Sequence, residues 1–174
     1  MRATLAAWSI GLALAFVALT GVQAQTWIEV KPEGGGYRVL MPGAVKFSQV
    51  PIAMPGGRSA ALHQAMYETA KMALLGSHLD YPEDVVRGQD PAKLLMNVRD
   101  GSAKGHKLRS DRALTVSGYP AREYVIVLAD GPVSVTRSTL AGNRLYQIIA
   151  VVLAGGETSP DIRKFIDSFA VLPR

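Results

Sequence analysis

The 174-residue sequence contains no cysteine. This absence excludes a disulfide framework, a thiol nucleophile and the lipid-modified cysteine of a lipoprotein. The fold must therefore be stabilised by packing, hydrogen bonds and ion pairs alone.

Histidine and aromatic residues are also scarce, with 3 His and 7% Phe, Trp and Tyr. The formal net charge is +5, of which Arg2 contributes one. Basic residues are interspersed with acidic ones and form no run. Binding of single-stranded nucleic acid needs a basic groove interleaved with stacking rings, and the sequence has no such strip. We therefore expect no nucleic-acid partner.

Residues 1–24 have the parts of a secretory signal peptide. Arg2 supplies the positive start, residues 5–19 are almost wholly apolar, and the small residue Ala24 ends the segment. The apolar core has about 15 residues, fewer than the roughly 20 that a membrane-spanning helix needs. A retained membrane anchor is the alternative interpretation.

This pattern predicts cleavage between Ala24 and Gln25 and export to the periplasm or the outside of the cell. No permanent membrane span is expected after cleavage. Residues 25–174 then have the length of one domain.

Glycine and proline divide the rest of the chain into short extended segments. Residues 27–31 and 37–41 flank the turn-like residues 32–36, which predicts a hairpin. Residues 50–59 contain two prolines and two glycines, and we predict a loop there.

The most regular pattern predicts a three-stranded antiparallel meander from residues 122–128, 133–140 and 144–153, separated by turn residues. Residues 148–153 have no polar alternation, so this strand should be covered on both faces at the centre of the sheet. Residues 62–68 and 72–81 are predicted as two neighbouring strands, and between residues 104 and 116 only residues 113–116 are strand-like.

Two helices are predicted by capping and spacing. Asp90 before Pro91 indicates a helix over residues 91–100. Near the end of the chain, apolar residues at helical spacing predict an amphipathic helix, and these residues are Ile162, Phe165, Ile166 and Phe169. Together with the strands, these helices predict an α+β fold, an antiparallel β-sheet flanked by helices.

Five local segments and their order along the chain are similar to those of a known protein family. They are residues 37–42, 80–82, 118–123, 142–146 and 165–169. In this order the chain resembles secreted bacterial proteins of the PsbP/Mog1-like superfamily. The resemblance implies an α/β/α sandwich and a non-catalytic accessory or partner-binding role. We expect no cofactor.

Histidine offers one arrangement with metal-binding potential. If residues 70–71 form a two-residue turn between strands 62–68 and 72–81, His63 lies opposite His78, and Asp80 shares the face of His78. However, Ala-Lys is not a favoured hairpin turn, and a one-residue slip separates the side chains. We predict no metal site and leave the convergence of the three residues open.

No segment predicts a catalytic residue. The Gly-x-Ser-x-Gly elbow of serine hydrolases does not occur, and the adjacent carboxylates Glu83 and Asp84 diverge in direction. Residues 34–36 are glycine-rich but lack the Lys-Ser/Thr that a phosphate-binding loop requires.

Arg122, Arg137 and Arg144 lie on successive strands of the predicted meander. If the strand register places them on one face, they form a candidate partner-binding patch together with Tyr146. The alternative is that each arginine pairs with a nearby acid such as Glu123.

Three functions remain open. The first is a non-catalytic exported accessory protein that binds an envelope protein partner. The second is a periplasmic carrier of a small molecule or metal, with a cleft beside residues 50–59. The third is an unrecognised hydrolase.

Overall fold

The computed structural model of the protein describes residues 26–173. The predicted signal peptide, residues 1–24, and its cleavage site between Ala24 and Gln25 lie outside the described residues. Within the described range, no helix is long and apolar enough to cross a membrane.

The chain begins with the predicted hairpin, formed by β1 (Ile28–Val30) and β2 (Tyr37–Met41). The two strands are antiparallel, and Val30 pairs with Val39. Gly36 in the connecting turn has a φ of 68°, a backbone conformation that glycine adopts without a steric penalty. The hairpin prediction is therefore confirmed.

Seven antiparallel strands form the large sheet. Their order across the sheet is β3, β4, β5, β9, β8, β7, β6, and they are β3 (Lys46–Met54), β4 (Arg58–Glu68), β5 (Met72–Asp80), β6 (Lys107–Val116), β7 (Tyr119–Val127), β8 (Val133–Ala141) and β9 (Arg144–Val152). The predicted meander is confirmed as β7, β8 and β9. The apolar strand β9 is the central strand of the sheet, as its composition predicts.

The loop prediction for residues 50–59 is wrong. These residues form the closed end of a hairpin between β3 and β4, with Pro51 paired with Ala61 and a 3-10 turn at Pro55–Gly57. Proline is tolerated because β3 is an edge strand, where the missing N–H faces outward. The other edge strand, β6, starts earlier than predicted, because its mostly exposed residues give no apolar alternation.

In the described part of the chain, three α-helices complete the fold, namely α1 (Glu83–Val86), α2 (Pro91–Ala103) and α3 (Pro160–Ser168). The Asp90 carboxylate accepts a hydrogen bond of 2.8 Å from the Ala92 amide and caps α2, as predicted. After α3, the short strand β10 (Ala170–Val171) pairs with β2 and extends the first hairpin to a three-stranded sheet.

The helices α2 and α3 cover opposite faces of the large sheet, which we call the α2 face and the α3 face. On the α2 face, Leu95 packs against Leu140 and Leu145. The α3 face carries the main core together with β2, and its largest members include Tyr37, Met41, Leu74, Ile148, Phe165 and Ile166. The predicted antiparallel sheet flanked by helices is confirmed.

Strand β8 is fully buried although five of its nine residues are polar or charged. Its Arg137 contacts the Glu123 carboxylate of the neighbouring strand β7. The same guanidinium donates to the Ile166 carbonyl at 2.9 Å and to the Asp167 carboxylate at 2.7 Å. Because both acceptors belong to α3, Arg137 fixes this helix on the sheet.

Glu123 is the carboxylate that neutralises the buried charge of Arg137. Burial would raise its pKa, but hydrogen bonds from Arg112, Arg137 and Arg163 outweigh burial and lower the pKa of Glu123 to about 2. The group therefore stays ionised throughout the pH range in which most proteins are folded.

We predict that Glu123→Gln lowers the free energy of unfolding at pH 7 by about 3–5 kcal/mol, because it leaves Arg137 buried without its main counter-charge. Arg112→Gln is the matched control. Arg112 contacts the same carboxylate, but its side chain is 62% exposed, so its loss should cost less than about 1 kcal/mol. Urea denaturation measures both values, and equal small losses would contradict the role of the buried pair.

Candidate functional site

A cavity of about 360 Å³ lies on the α3 face near the β3 edge. Residues at the start of the β1–β2 turn, including Pro32, lie on one side of it, and strands β3, β4 and β5 lie on the other. We call it the histidine cavity and define it by Pro32, Tyr37, Phe47, His63 and His78, which belong to its lining. Its volume is at the lower end of the 300–1,000 Å³ that small-molecule sites occupy.

Two stacked histidines form one wall of the histidine cavity. His63 on β4 is the cross-strand partner of His78 on β5, and their rings are 4.7 Å apart at an angle of 5°. The Thr69 amide donates to the Met72 carbonyl at 2.9 Å, which closes the two-residue turn at residues 70–71. The pairing inferred from that turn is confirmed.

His78 is 5% exposed, and its Nδ1 atom has no hydrogen-bond partner among residues 26–173. Burial, with smaller contributions from Arg144 and His63, lowers the pKa of His78 to about 4, although Asp80 acts in the opposite direction. The ring is therefore uncharged at neutral pH. The hydroxyl of Tyr37 also lacks a partner within the described residues, and burial raises its pKa.

The stacked geometry does not suit a metal ion. Imidazole nitrogens bind metals along lone pairs in the ring plane, and in parallel rings these directions do not meet at one ion. Asp80, on the same face, bonds to Arg144 at 2.6 Å. In the described part of the chain, no group of three or more His, Cys, Asp or Glu residues is arranged to hold a metal.

Arg144 and Tyr146 hold the β1–β2 turn against the sheet. The Arg144 guanidinium donates to the Gly34 carbonyl at 2.7 Å and to the Gly35 carbonyl at 3.0 Å. The Tyr146 hydroxyl donates to the Gly36 carbonyl at 3.4 Å. These bonds fix the turn that precedes Tyr37 and borders the histidine cavity.

Glycine at position 76 allows Tyr37 to lie close to the large sheet. A Cβ atom on Gly76 would lie 3.0 Å from the Tyr37 hydroxyl oxygen and 3.2 Å from the ring. Tyr37 also contacts Tyr146 edge-on, with ring centroids 5.6 Å apart. The aromatic ring of Tyr37 is thus held between β2 and the strands beneath it.

The four residues of the candidate patch do not share one exposed surface. Arg122 lies on the α2 face and donates to Asp111 at 2.6 Å. Arg137 and Tyr146 are buried on the α3 face, and Arg144 lies at the β1–β2 turn. Binding of a partner by all four stays a prediction, while the pairing of Arg137 with Glu123 agrees with the alternative given for the arginines.

Sequence reasoning missed Tyr37 and Phe47 as members of a site. Tyr37 lies about 40 residues from His78 along the sequence, and no local pattern indicates that the first hairpin covers β5. Phe47 is 64% exposed, and its segment gives a weak strand signal. The facing pair His63 and His78 could be predicted, because counting residues outward from the turn at residues 70–71 places them opposite each other.

The arrangement of the strands and helices is similar to that in the solution structure of cyanobacterial PsbP (CyanoP) from Synechocystis sp. PCC 6803. The TM-score is 0.54 at 13% sequence identity, and the match covers 87% of this chain and 95% of that chain. The fold is PsbP-like. No family model matches the sequence, and no curated protein matches it.

Within this PsbP-like fold, His78 should make stability depend on pH. Its pKa falls from 6.5 to about 4 on folding, so below pH 6.5 the unfolded chain binds a proton that the folded chain does not. We predict that the free energy of unfolding decreases by about 2 kcal/mol from pH 7 to pH 5 through this group.

Urea denaturation at the two pH values tests this prediction, with His78→Gln expected to remove that part of the pH dependence. His106→Gln is the control, because the His106 ring belongs to an exposed residue and accepts a bond from the Ala129 amide. Glu123 titrates well below this pH window. An unchanged pH dependence in His78→Gln would show that His78 is not the responsible group.

Proposed function

We propose that this chain is a non-catalytic accessory protein that is exported to the cell envelope and binds its partner at the histidine cavity. The observation that carries the proposal is the pair of buried polar atoms, His78 Nδ1 and the Tyr37 hydroxyl, that lack partners within the described residues. Both residues line the same cavity.

Unpartnered buried polar atoms support binding because they are costly to keep. Each costs about 1–3 kcal/mol relative to a hydrogen-bonded group, and native proteins contain few of them. A ligand or partner that hydrogen-bonds to such a group recovers part of this cost on binding. The exposed ring of Phe47 beside the same cavity adds apolar contact area for a partner.

The surroundings of the histidines support binding rather than catalysis. A histidine that acts as a general base contacts the group that it deprotonates and is oriented by a further hydrogen bond. Among the described residues, neither His63 nor His78 is hydrogen-bonded to a serine or a carboxylate. This arrangement gives the hydrolase alternative no structural support.

Export is proposed from the composition of residues 1–24, and the accessory role from the resemblance to PsbP-like proteins. The periplasm or the cell exterior is the proposed location. A protein partner of the envelope is preferred to nucleic acid, because the basic side chains are distributed among acidic ones and many of them form ion pairs.

The proposed export predicts a mature amino terminus at Gln25. Amino-terminal sequencing of the protein from the periplasmic or extracellular fraction of a Gram-negative host should find this residue. Ala24→Arg should accumulate the uncleaved precursor, because signal peptidase requires a small residue there. Full-length protein beginning at Met1 in the cytoplasm would contradict export.

The proposed binding surface predicts a position-dependent crosslink in cells. A photoreactive phenylalanine derivative at position 47 should crosslink to one envelope protein, because Phe47 lies at the histidine cavity. The same derivative at position 153 is the matched control, since Leu153 is 65% exposed and Phe47 64% but Leu153 does not line the cavity. Mass spectrometry identifies the product. Equal crosslinking from both positions, or none from position 47, would contradict the proposal.

A further inference from the structure

Helix α2 covers only one half of the α2 face, because it lies against β6, β7 and β8. On the same face, β3, β4, β5 and β9 carry six apolar side chains that belong to neither packed core. Strand pairing places them on the side of Leu145, which packs against Leu95 of α2. We call this surface the open face and define it by Val50, Leu62, Met66, Leu75, Ile149 and Val151.

Alternate residues of β9 show that a cover is absent from this half of the face. Ile148 and Ala150 lie on the α3 face and are buried, whereas Ile149 and Val151 lie on the open face and are half-buried. Val50 at the edge is 41% exposed. The unbroken apolar run of β9 is typical of a strand covered on both faces. Within residues 26–173, this end of β9 is covered only on the α3 face.

Two side chains of opposite charge lie at the rim of the open face. Lys46 is the cross-strand partner of Met66, and Glu68 follows two residues after Met66 on the same face. Both are exposed, and neither has an ion-pair partner in the described part of the chain. In a twofold interface each contact occurs twice with the roles exchanged. Lys46 of each copy can therefore meet Glu68 of the other, so the surface is complementary to itself in charge.

The area of the open face sets the strength of such an interface. Four strands about 4.8 Å apart and nine residues long span roughly 500 Å². Two copies would bury about 1,000 Å² in total, which is the lower limit for a specific interface. This area is too small for an obligate dimer and fits a weak dimer that depends on protein concentration.

We infer that two copies of this chain associate face to face through their open faces, with Lys46 of each copy paired with Glu68 of the other. A second copy provides both an apolar centre without charge and the complementary charged pair. This inference goes beyond the proposed function. Because the histidine cavity lies on the opposite face of the sheet, the dimer carries two histidine cavities on its outer sides.

Sedimentation velocity tests the association. The sample is the protein purified from cells that express the full 174-residue chain, at concentrations up to about 1 mM. We expect a monomer at the lowest concentrations and a rising fraction of dimer as concentration increases. A monomer at every concentration would overturn the inference, while the proposed function at the histidine cavity would be unaffected.

Reversal of the rim charges tests how the two copies are paired. Lys46→Glu should weaken dimerisation by about 5- to 30-fold, because it removes two ion pairs and creates two contacts between like charges. The double variant Lys46→Glu/Glu68→Lys should restore dimerisation to within about 2-fold of the wild type. Lys104→Glu is the matched control, because Lys104 is also exposed but follows α2, and it should have no effect. A dimer that Lys46→Glu does not weaken, or that the double variant does not restore, would overturn the inference.

A substitution within the open face tests the apolar contact. Leu75→Thr keeps a residue suited to a strand but should weaken dimerisation by about 10-fold, because the contact is lost from both copies. Leu108→Thr is the control on the distant edge strand β6, where Leu108 is 38% exposed, and it should have no effect. Circular dichroism verifies that both variants are folded. Wild-type dimerisation in folded Leu75→Thr would overturn the inference.

Discussion

The buried guanidinium of Arg137 is the constraint on which the arrangement of the fold depends. Arginine does not lose its charge inside a protein, so counter-charges must be brought to it. Glu123 comes from the neighbouring strand and Asp167 from α3, which determines where that helix lies. The chain then continues into β10, which pairs with β2, and β2 carries Tyr37 to the histidine cavity. An ion pair on one side of the core thus helps to position an aromatic ring on the other.

Local sequence rules predict those parts of the fold that depend on neighbouring residues. The period of two in β-strands and the turn at residues 70–71 place His63 opposite His78. The unbroken apolar run predicts that β9 is central, and helical spacing predicts that Ile162 and Phe165 of α3 face the core. In each case the information lies within about 20 residues of sequence, where turn geometry fixes the register.

Other features depend on contacts between distant segments and could not be predicted. Strand β8 has the composition of a half-exposed strand, but some of its polar groups, such as the Arg137 guanidinium, bond to partners that become neighbours only in the folded chain. The hydroxyl of Ser138 and that of Tyr124 are 3.3 Å apart, for example. Tyr37 reaches the cavity for a similar reason, because the first hairpin crosses over strands much later in the sequence. The loop prediction for residues 50–59 was wrong because proline was taken to exclude a strand, although an edge strand tolerates proline.

The position of Pro51 on β3 has a consequence for how this protein meets other chains. An exposed sheet edge is a template for uncontrolled strand addition, and proteins reduce this hazard with proline and charge. Pro51 removes one amide donor from the outer edge, and Lys46 places a charge at the start of the same strand. Phe47, between them, still projects an exposed side chain. The edge can therefore offer apolar surface for selective recognition while its backbone resists self-assembly into extended sheets.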